Sequence, residues 1–361
     1  MEGATHIHYL STPPASRFAN LKIKLSKIIP TPIKKIIIAI INYRSTRHLL
    51  YGDKHNACIN LNQFDIIHFH DTRSLYSVRD DLRDYKGKIV LTSHSPTLLS
   101  LEIQDMLSSF ERHLFRKTYA ELIKMDEYSF SRADYIIFPC PEAEEPYVHN
   151  WAEFSKIKEI KRSHFKYLLT GIQRPHIKLT RNEICDKYHI PRSSIIISYV
   201  GRHNEIKGYD KLLEIGNRVL KEKENVYFLI AGKEGPLYGL TNPRWIEVGW
   251  TDDPHSIIAA SDIFILPNKE TYFDLILLEV LALGTLVVAS SSGGNKFFQL
   301  FKDSGIFLYE TVEQALVRID NIILYSEQKK KRLANNNKII FSQYFTSEQF
   351  AKNYLNLLDS L

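Results

Sequence analysis

Short apolar runs alternate along this chain with stretches whose apolar residues recur every three or four positions. The runs THIHYLST (5–12), FDIIHFHD (64–71), GKIVLTSHSP (87–96) and ADYIIFPC (133–140) predict strands, being rich in β-branched and aromatic residues. FDIIHFHD and GKIVLTSHSP end in polar residues, as expected when the carboxyl ends of parallel strands open onto a crevice. FANLKIKLSKII (18–29) reads as a helix, PTP at 30–32 breaks it, and IKKIIIAIINYRSTRHLL (33–50) reads as a second, amphipathic helix. A long helical region spans 100–131. The texture then changes: GIQRPHIKLTRNEICDKYHIPRSS (171–194) is polar, carries two prolines and reads as an interdomain linker. A second alternating series follows, with strands IIISYVG (195–201), VYFLIAG (226–232), WIEVGW (245–250), DIFILP (262–267) and TLVVAS (285–290) and helices between them, the first being KGYDKLLEIGNRVLKE (207–222). Strands alternating with helices imply parallel sheets covered on both faces. Two such series imply an α/β chain of two Rossmann-like domains, 1–172 and 195–345, joined through 173–194.

Length agrees, because 361 residues exceed one ordinary core and suit two domains. No apolar run reaches the ~18 residues of a spanning helix, and the N-terminus shows no charged-then-apolar leader with a cleavage site. Cys58, Cys140 and Cys185 are odd in number, far apart and without a CxxC pair, which argues against a disulfide framework or structural zinc and fits a reducing cytoplasm. The net charge of +6 is concentrated: residues 1–60 hold nine Lys/Arg against Glu2 and Asp53. A basic, isoleucine-rich segment over 17–54 suggests a surface that meets anionic lipid or phosphate, with peripheral attachment at the inner membrane face; the competing reading is a solvated helix face wrapping a core. It lacks interleaved aromatics and a reader motif, so nucleic acid is not expected as a partner. EQKKKR (327–332) reads as a solvated helix face.

Candidate chemistry gathers at strand ends. In YVGRHNEIKGYDKLL (199–213) a strand ends in Gly201, a polar loop carries Arg202 and Lys207, and Gly208 opens a helix. A guanidinium fork, an ammonium and a helix start all suit phosphate oxygens, although neither the Walker nor the GxGxxG spacing is present. An incidentally charged loop is the plainer reading. In DIFILPNKETYFDLILLEVLALG (262–284) a strand end, a polar loop with Glu270 and Thr271, and a helix starting near Asp274 lead to Glu279 inside an apolar helix. A lone carboxylate there is costly unless paired or functional. It either pairs with a cation from the other domain or accepts from a vicinal diol such as ribose hydroxyls. Gly293 and Gly294 allow close backbone approach to a ligand, or form a tight turn. His68 and His70 share one face of their strand, and HFHDTRS (68–74) and TSHSP (92–96) carry His70, Asp71, Arg73 and His94 at strand ends, where the histidines either make polar contact at the mouth of a cleft or are simply satisfied within the fold. No third ligand with convincing spacing completes a metal site, and no aspartate pair sits at a strand end as a metal–diphosphate clamp would need. No cofactor and metal-independent handling of phosphates are therefore expected.

Taken in order, the GR…KG loop, AGKEG, VGWTDD and ASDIFILPNKETYFDLILLEVLALGTLVVASSSGG resemble the C-terminal domain of retaining nucleotide-sugar glycosyltransferases of the GT-B fold, the group 1 (family 4) class. The resemblance is strong over 195–300 and looser through FDIIHFHD, IVLTSH, RADYIIFPC and LLTGI; TSEQFAKNYLNLLDSL (346–361) resembles the family's closing helix. It implies a nucleotide-sugar donor, UDP-linked in the leading reading, bound mainly by the C-terminal domain, and an acceptor bound mainly by the N-terminal one. Residue by residue, Arg202 and Lys207 match the diphosphate pair, and Glu279 matches the second glutamate of Glu-x7-Glu, which holds ribose. Gly249 and Trp250 fall where the base is read, and His94 matches a histidine near the reacting centre. Gly201, Glu270, Thr271, Asp274, Leu275 and Ile276 complete the donor side; His70, Asp71 and Arg73 belong to the acceptor side. Two departures stand out. Thr271 occupies the first glutamate's place, with Glu270 one residue early, and Asp274 replaces a glycine at the helix start. The first loop, STPPASR, also lacks the family's Gly-Gly and offers Ser11, Thr12 and Ser16 instead.

The leading expectation is a retaining glycosyltransferase acting on a glycan, lipid-linked or protein acceptor in surface polysaccharide or glycoconjugate synthesis. The same departures motivate a second: a catalytically inactive subunit of the same fold that binds acceptor or stabilises a partner transferase. A sugar-nucleotide epimerase or a phosphorylase of this fold is a third.

Overall fold

The computed structural model describes residues 30–51, 60–105 and 107–361. The strand expected at 5–12, the helix expected at 18–29 and the loop with Ser11, Thr12 and Ser16 lie outside the described residues, as does Cys58.

Among the described residues, two parallel sheets organise the chain. In the first, β1 (Ile66–Phe69), β2 (Lys88–Thr92), β3 (Tyr135–Phe138) and β4 (Phe165–Tyr167) lie in sequential order. In the second, β5 (Ile195–Val200), β6 (Val226–Ala231), β7 (Trp245–Gly249), β8 (Ile263–Leu266), β9 (Leu286–Ser290) and β10 (Ile306–Tyr309) are ordered β10-β9-β8-β5-β6-β7. The order reverses between β5 and β8, and ligands of open parallel sheets bind at such a reversal, outside the carboxyl ends of the strands. β8 is buried at every position, which explains why it reads as a continuous apolar run rather than an alternation. β4 and β10, of three and four residues, have no counterpart among the expected strands.

The sheets and the cleft are framed by α1 (Thr31–Tyr51), α2 (Arg116–Arg132), α3 (Tyr209–Glu222), α4 (Pro254–Ala260), α5 (Leu275–Leu283), α6 (Val312–Leu324), α7 (Glu327–Tyr344) and α8 (Ser347–Asp359). Helices α3 and α6 cover one face of the larger sheet, with Leu212, Ile215, Val219, Ala315 and Ile319 buried against Ile197, Phe228 and Val288. The other face is covered in part by α4 and by a helix at Arg181–Lys187, through Ile184, Cys185 and Ile257 against Ile196 and Leu229. That helix corrects the linker reading of 173–194. Thr180 and Glu183 form a capping box at its start, and it belongs to the core of the larger domain. The helical region at 100–131 is likewise broken, by a second capping box between Ser108 and Glu111 ahead of Ser109–Leu114.

One apolar cluster runs through both domains, joining Phe130, Phe138 and Tyr147 to Tyr272, Phe273, Leu277, Phe298 and Phe345. Helix α8 returns to the first sheet, where Phe350, Tyr354 and Leu357 pack on Val90, Ile137 and Leu168.

Helix α1 forms where expected, and the stripe it turns to the protein is the less apolar one. The stripe against the protein carries Ala39, Asn42, Tyr43, Thr46 and Leu50: Ala39, Thr46 and Leu50 are buried, Asn42 donates to Glu111 Oε1 at 2.8 Å, and Tyr43 stacks on Phe115 at 4.5 Å. Ile33, Ile36, Ile37, Ile40 and Ile41, at i, i+3, i+4, i+7 and i+8, are all exposed, at 39–53%. Among the described residues no helix is long and apolar enough to cross a membrane.

Gly208 precedes α3 with φ +65°, and a Cβ there would overlap the carbonyl oxygen of Pro267 at the end of β8. Gly208→Ala should therefore lower the unfolding free energy by about 2–4 kcal/mol, combining positive-φ strain with overpacking. Chemical denaturation against the wild type checks this; an unchanged midpoint would mean that the contact yields freely.

Candidate functional site

The carboxyl ends of β5 and β8 meet at the order reversal, and there the structure brings together most of the residues expected on the donor side. Gly201 follows β5, and its amide is fixed by the Ala231 carbonyl at 2.9 Å. Arg202 is exposed at the loop surface, while its backbone carbonyl is held by the Tyr199 hydroxyl at 2.8 Å. His203, between the two expected cations, is fully buried and stacks on Tyr209 at 4.0 Å and 10°. Burial holds its pKa below the ordinary histidine value. Sequence reading passed over this residue, which pins the loop so that Arg202 and Lys207 project from it. Tyr209 is anchored in turn, donating to Glu247 Oε1 at 2.8 Å beside the Trp245 indole N–H at 2.7 Å. A main-chain bond from Lys269 N to Ile206 O at 3.1 Å ties the loop to the one after β8.

Lys207 reaches Asp274, its Nζ lying 3.4 Å from Oδ1, and Asn268 Nδ2 donates to Asp274 Oδ2 at 2.7 Å. Asp274 stands at the start of α5 but makes no side-chain cap there, so the first-turn amides of that helix carry no side-chain acceptor from Asp274. Leu275 is exposed and Ile276 half-buried beside it. Glu279, one turn further, is 26% exposed, so it is no core residue; its Oε2 lies 3.1 Å from His255 Nε2 on α4. The partner expected from the other domain is thus replaced by a histidine of the same domain. Gly249 adopts φ +74° with open space around it, and Trp250 is 79% exposed, a flat apolar face at the end of β7.

Thr271 and Glu270 part company. Thr271, expected on the donor side, is 2% exposed and donates its hydroxyl to the Ser292 carbonyl at 2.5 Å. Gly293 and Gly294 make this packing feasible, because a Cβ on either would strike the carbonyl of Thr271 or Tyr272; their role here is a tight turn against that loop. Glu270 is exposed and faces the other domain, with Asn150 Nδ2 at 3.4 Å from Oε1. The neighbouring cross-domain contacts are Tyr272 against Phe138, at 5.7 Å between ring centres, and Glu145, which accepts from the Gly293 amide at 3.3 Å and pairs with Lys296.

On the opposite domain, His68, His70 and His94 stack in sequence, with ring centres 4.3 and 5.3 Å apart. His70 Nδ1 and His94 Nε2 are 3.0 Å apart and share one hydrogen bond. His68 engages both ring nitrogens, with the Tyr354 hydroxyl at 2.7 Å and the Thr92 hydroxyl at 2.8 Å. It is therefore committed to the fold, and among the described residues no group of three His, Cys, Asp or Glu is placed to hold a metal ion. Asp71, expected on the acceptor side, accepts from the Ser74 amide and hydroxyl at 2.7 Å and so caps the helix Thr72–Ser77, in whose first turn Arg73 lies. Burial pushes the Cys140 thiol up to about 12, which removes it as a nucleophile.

Residues 194–321 match the family model described as glycosyl transferases group 1. The chain is 24% identical over 192 residues to the O-antigen biosynthesis glycosyltransferase WclY of Escherichia coli, a match covering 50% of this chain and 52% of that protein. The chain thus spans about half the length of the curated relatives it matches. Among solved structures it resembles sucrose-phosphate synthase of Thermosynechococcus elongatus, with a TM-score of 0.61 and 17% identity over 92% of this chain and 80% of that one. It equally resembles Anabaena Alr3699/HepE in complex with UDP-glucose, with a TM-score of 0.61 and 15% identity over 83% and 80%. The fold is GT-B, and within its second half residues 194–321 match the group 1 glycosyl transferase model.

The histidine stack has a titration signature. Burial, reinforced by His70 and His94, holds His68 down to about 3; burial and His70 also lower His94, partly offset by Asp71. An unfolded histidine takes a proton near 6.5, so between that pH and about 3 unfolding binds a proton that folded His68 refuses. Stability should fall as pH drops through this window, and NMR titration should show His68 neutral at pH 5. A His68 resonance titrating near 6.5 would contradict the burial argument.

Proposed function

We propose that this chain is a retaining glycosyltransferase that moves a sugar from a nucleotide-sugar donor, UDP-linked in the leading reading, to a glycan or lipid-linked acceptor of surface polysaccharide synthesis. One observation carries the reading: Arg202 and Lys207 follow β5 and the start of α5 follows β8 at the order reversal, with Glu279 on α5 and Trp250 after β7, inside the segment that matches the family model. The match to an O-antigen biosynthesis enzyme and the likeness to a UDP-glucose complex support the acceptor class and the donor class respectively.

In this reading Arg202, Lys207 and the α5 amides hold the diphosphate and stabilise its charge as the sugar–phosphate bond breaks, without a metal. Glu279 accepts from the ribose hydroxyls in place of His255, and Trp250 offers a stacking face to the base. The acceptor hydroxyl enters from the side of His70 and His94. It attacks on the face the diphosphate leaves, its proton passing to a departing phosphate oxygen, which retains configuration without a protein nucleophile. Glu270, exposed beside Asn150 where the domains meet, is the carboxylate assigned to the donor sugar.

The acceptor reading extends to α1. Its outward stripe of five isoleucines sits on a helix with Lys34, Lys35, Arg44 and Arg47 and no acidic residue. An apolar face flanked by bases suits the plane of an anionic membrane, at whose cytoplasmic side a lipid-linked acceptor would be met.

Calorimetry with UDP should give a binding isotherm for the wild type that Lys207→Met weakens at least tenfold and Glu279→Ala at least fivefold, on the order expected for a lost charge-assisted bond. Release of UDP from UDP-glucose in the presence of acceptor separates an enzyme from a non-catalytic subunit. Binding without release would favour the subunit, and no binding of UDP or GDP would remove the transferase reading. For α1, vesicles containing phosphatidylglycerol should float the wild type and lose Ile36→Asp/Ile40→Asp, whereas neutral vesicles should float neither. Equal flotation of both forms would reject the contact.

A further inference from the structure

Lys207 is a cation that the proposed diphosphate needs, and it already has an anion. Its Nζ lies 3.4 Å from Asp274 Oδ1. The Asp274 side chain is only 11% exposed and Lys207 is 39% exposed, so the ammonium reaches from the surface into a largely enclosed carboxylate. The second carboxylate oxygen is held by Asn268 Nδ2 at 2.7 Å. Asn268 is itself 1% exposed, and its main-chain carbonyl is fixed by the hydroxyls of Ser290 at 2.6 Å and Ser292 at 3.1 Å. The acid is therefore anchored from behind, while the lysine is the mobile partner.

An aspartate at a helix start ordinarily turns its carboxylate onto the first-turn amides. Asp274 does not: its backbone is extended as at an ordinary cap, with φ −74° and ψ 111°, but its oxygens go to Lys207 and Asn268. The helix start thus stays without a side-chain cap, and the lysine beside it is neutralised. This is an arrangement for exchange, in which one anion occupies the cation and a better one can replace it.

We infer that Asp274 is a displaceable counter-anion for Lys207, which orders the lysine ahead of binding and competes with the diphosphate when a nucleotide arrives. The inference rests on the transferase reading of this cleft and deepens it. A diphosphate that captures Lys207 leaves Asp274 uncompensated beside it, so binding carries a like-charge penalty. The penalty is larger for the free nucleoside diphosphate, whose terminal phosphate carries an additional charge, than for the sugar-capped donor. The carboxylate therefore weakens product more than donor and speeds product release.

The test is calorimetry of UDP, UDP-glucose and inorganic pyrophosphate with wild type, Asp274→Asn and Asp274→Ser, each checked for folding by thermal melting. Asparagine and serine both serve at a helix start, so the fold should hold. The expected result is that both variants bind UDP and pyrophosphate about tenfold tighter than wild type, and UDP-glucose tighter by a smaller factor. If wild type binds UDP and neither variant binds it tighter, the counter-anion role is overturned while the transferase reading stands. Weakened UDP-glucose with unchanged UDP would overturn it too, because Asp274 would then be accepting from the sugar. If no form binds any of the three ligands, both readings fall together.

Discussion

The candidate site depends on one close approach of backbone to backbone. Gly208, in the left-handed region, lies against the carbonyl of Pro267 with no room for a side chain. That contact draws the loop after β5 onto the loop after β8, the two strands between which the sheet reverses order. Reversal opens a crevice that no crossing connection fills, and the two loops line it. Lys207 and Asp274 can pair at 3.4 Å because the glycine beside the lysine lets the chains close up. The buried stack of His203 on Tyr209, tied through Glu247 to Trp245, then makes the loop rigid. A ligand site on such a loop loses little entropy when it binds, because the packing beneath has already ordered it.

The same loops also join the domains. The chain from Asn268 to Phe273 meets Asn150 through Glu270 and Phe138 through Tyr272, and the turn at Gly293 donates to Glu145. Helix α8 closes the other end, running back from the second domain so that Tyr354 holds His68, on which His70 and then His94 stack. The two sides of the cleft are therefore not independent surfaces. A change in the angle between domains must rearrange the donor-side loop and the Glu145 contact together, since each includes an atom from either half, while α8, packed on the first sheet, carries the Tyr354–His68 contact with that domain.

Alternating patterns of apolar and polar residues make the long buried strands legible, but only those. β1, β2, β3 and β5 to β9 appear where apolar runs predict them, most plainly β8, which is buried at every position and has nowhere to put a polar residue. β4 has three residues with Lys166 at its centre, too few for a pattern, whereas β10 is as long as β1, β3 and β8 and its IFLY run carries the same apolar signal. The helix at Arg181–Lys187 carries a legible signal in Thr180-x-x-Glu183, outweighed by the prolines around it. The side-chain partners are not legible at all. Glu279 pairing with His255, Asn268 holding Asp274 and Tyr354 reaching His68 across 286 positions are products of tertiary packing, and no spacing rule encodes them. For α1 the periodicity predicts the right helix but not which stripe faces the protein. That choice is made by Asn42 finding Glu111 and Tyr43 finding Phe115.

The displaced glutamate acquires a physical reason from this packing. At position 271 the backbone is wedged by the glycine turn at 293–294, and the side chain sits in a closed space whose polar acceptor is the Ser292 carbonyl. A threonine hydroxyl satisfies that carbonyl. A glutamate would bring a longer side chain and a negative charge against an oxygen, and burial there would leave the charge without a donor. Position 270, one residue earlier, points out towards Asn150, where a carboxylate stays solvated. The departure from the Glu-x7-Glu spacing is then a local consequence of how tightly the loop is fastened to the Gly293 turn. The neighbouring carboxylate, Glu270, stays exposed, and the residue beside it, Asn150, belongs to the opposite domain.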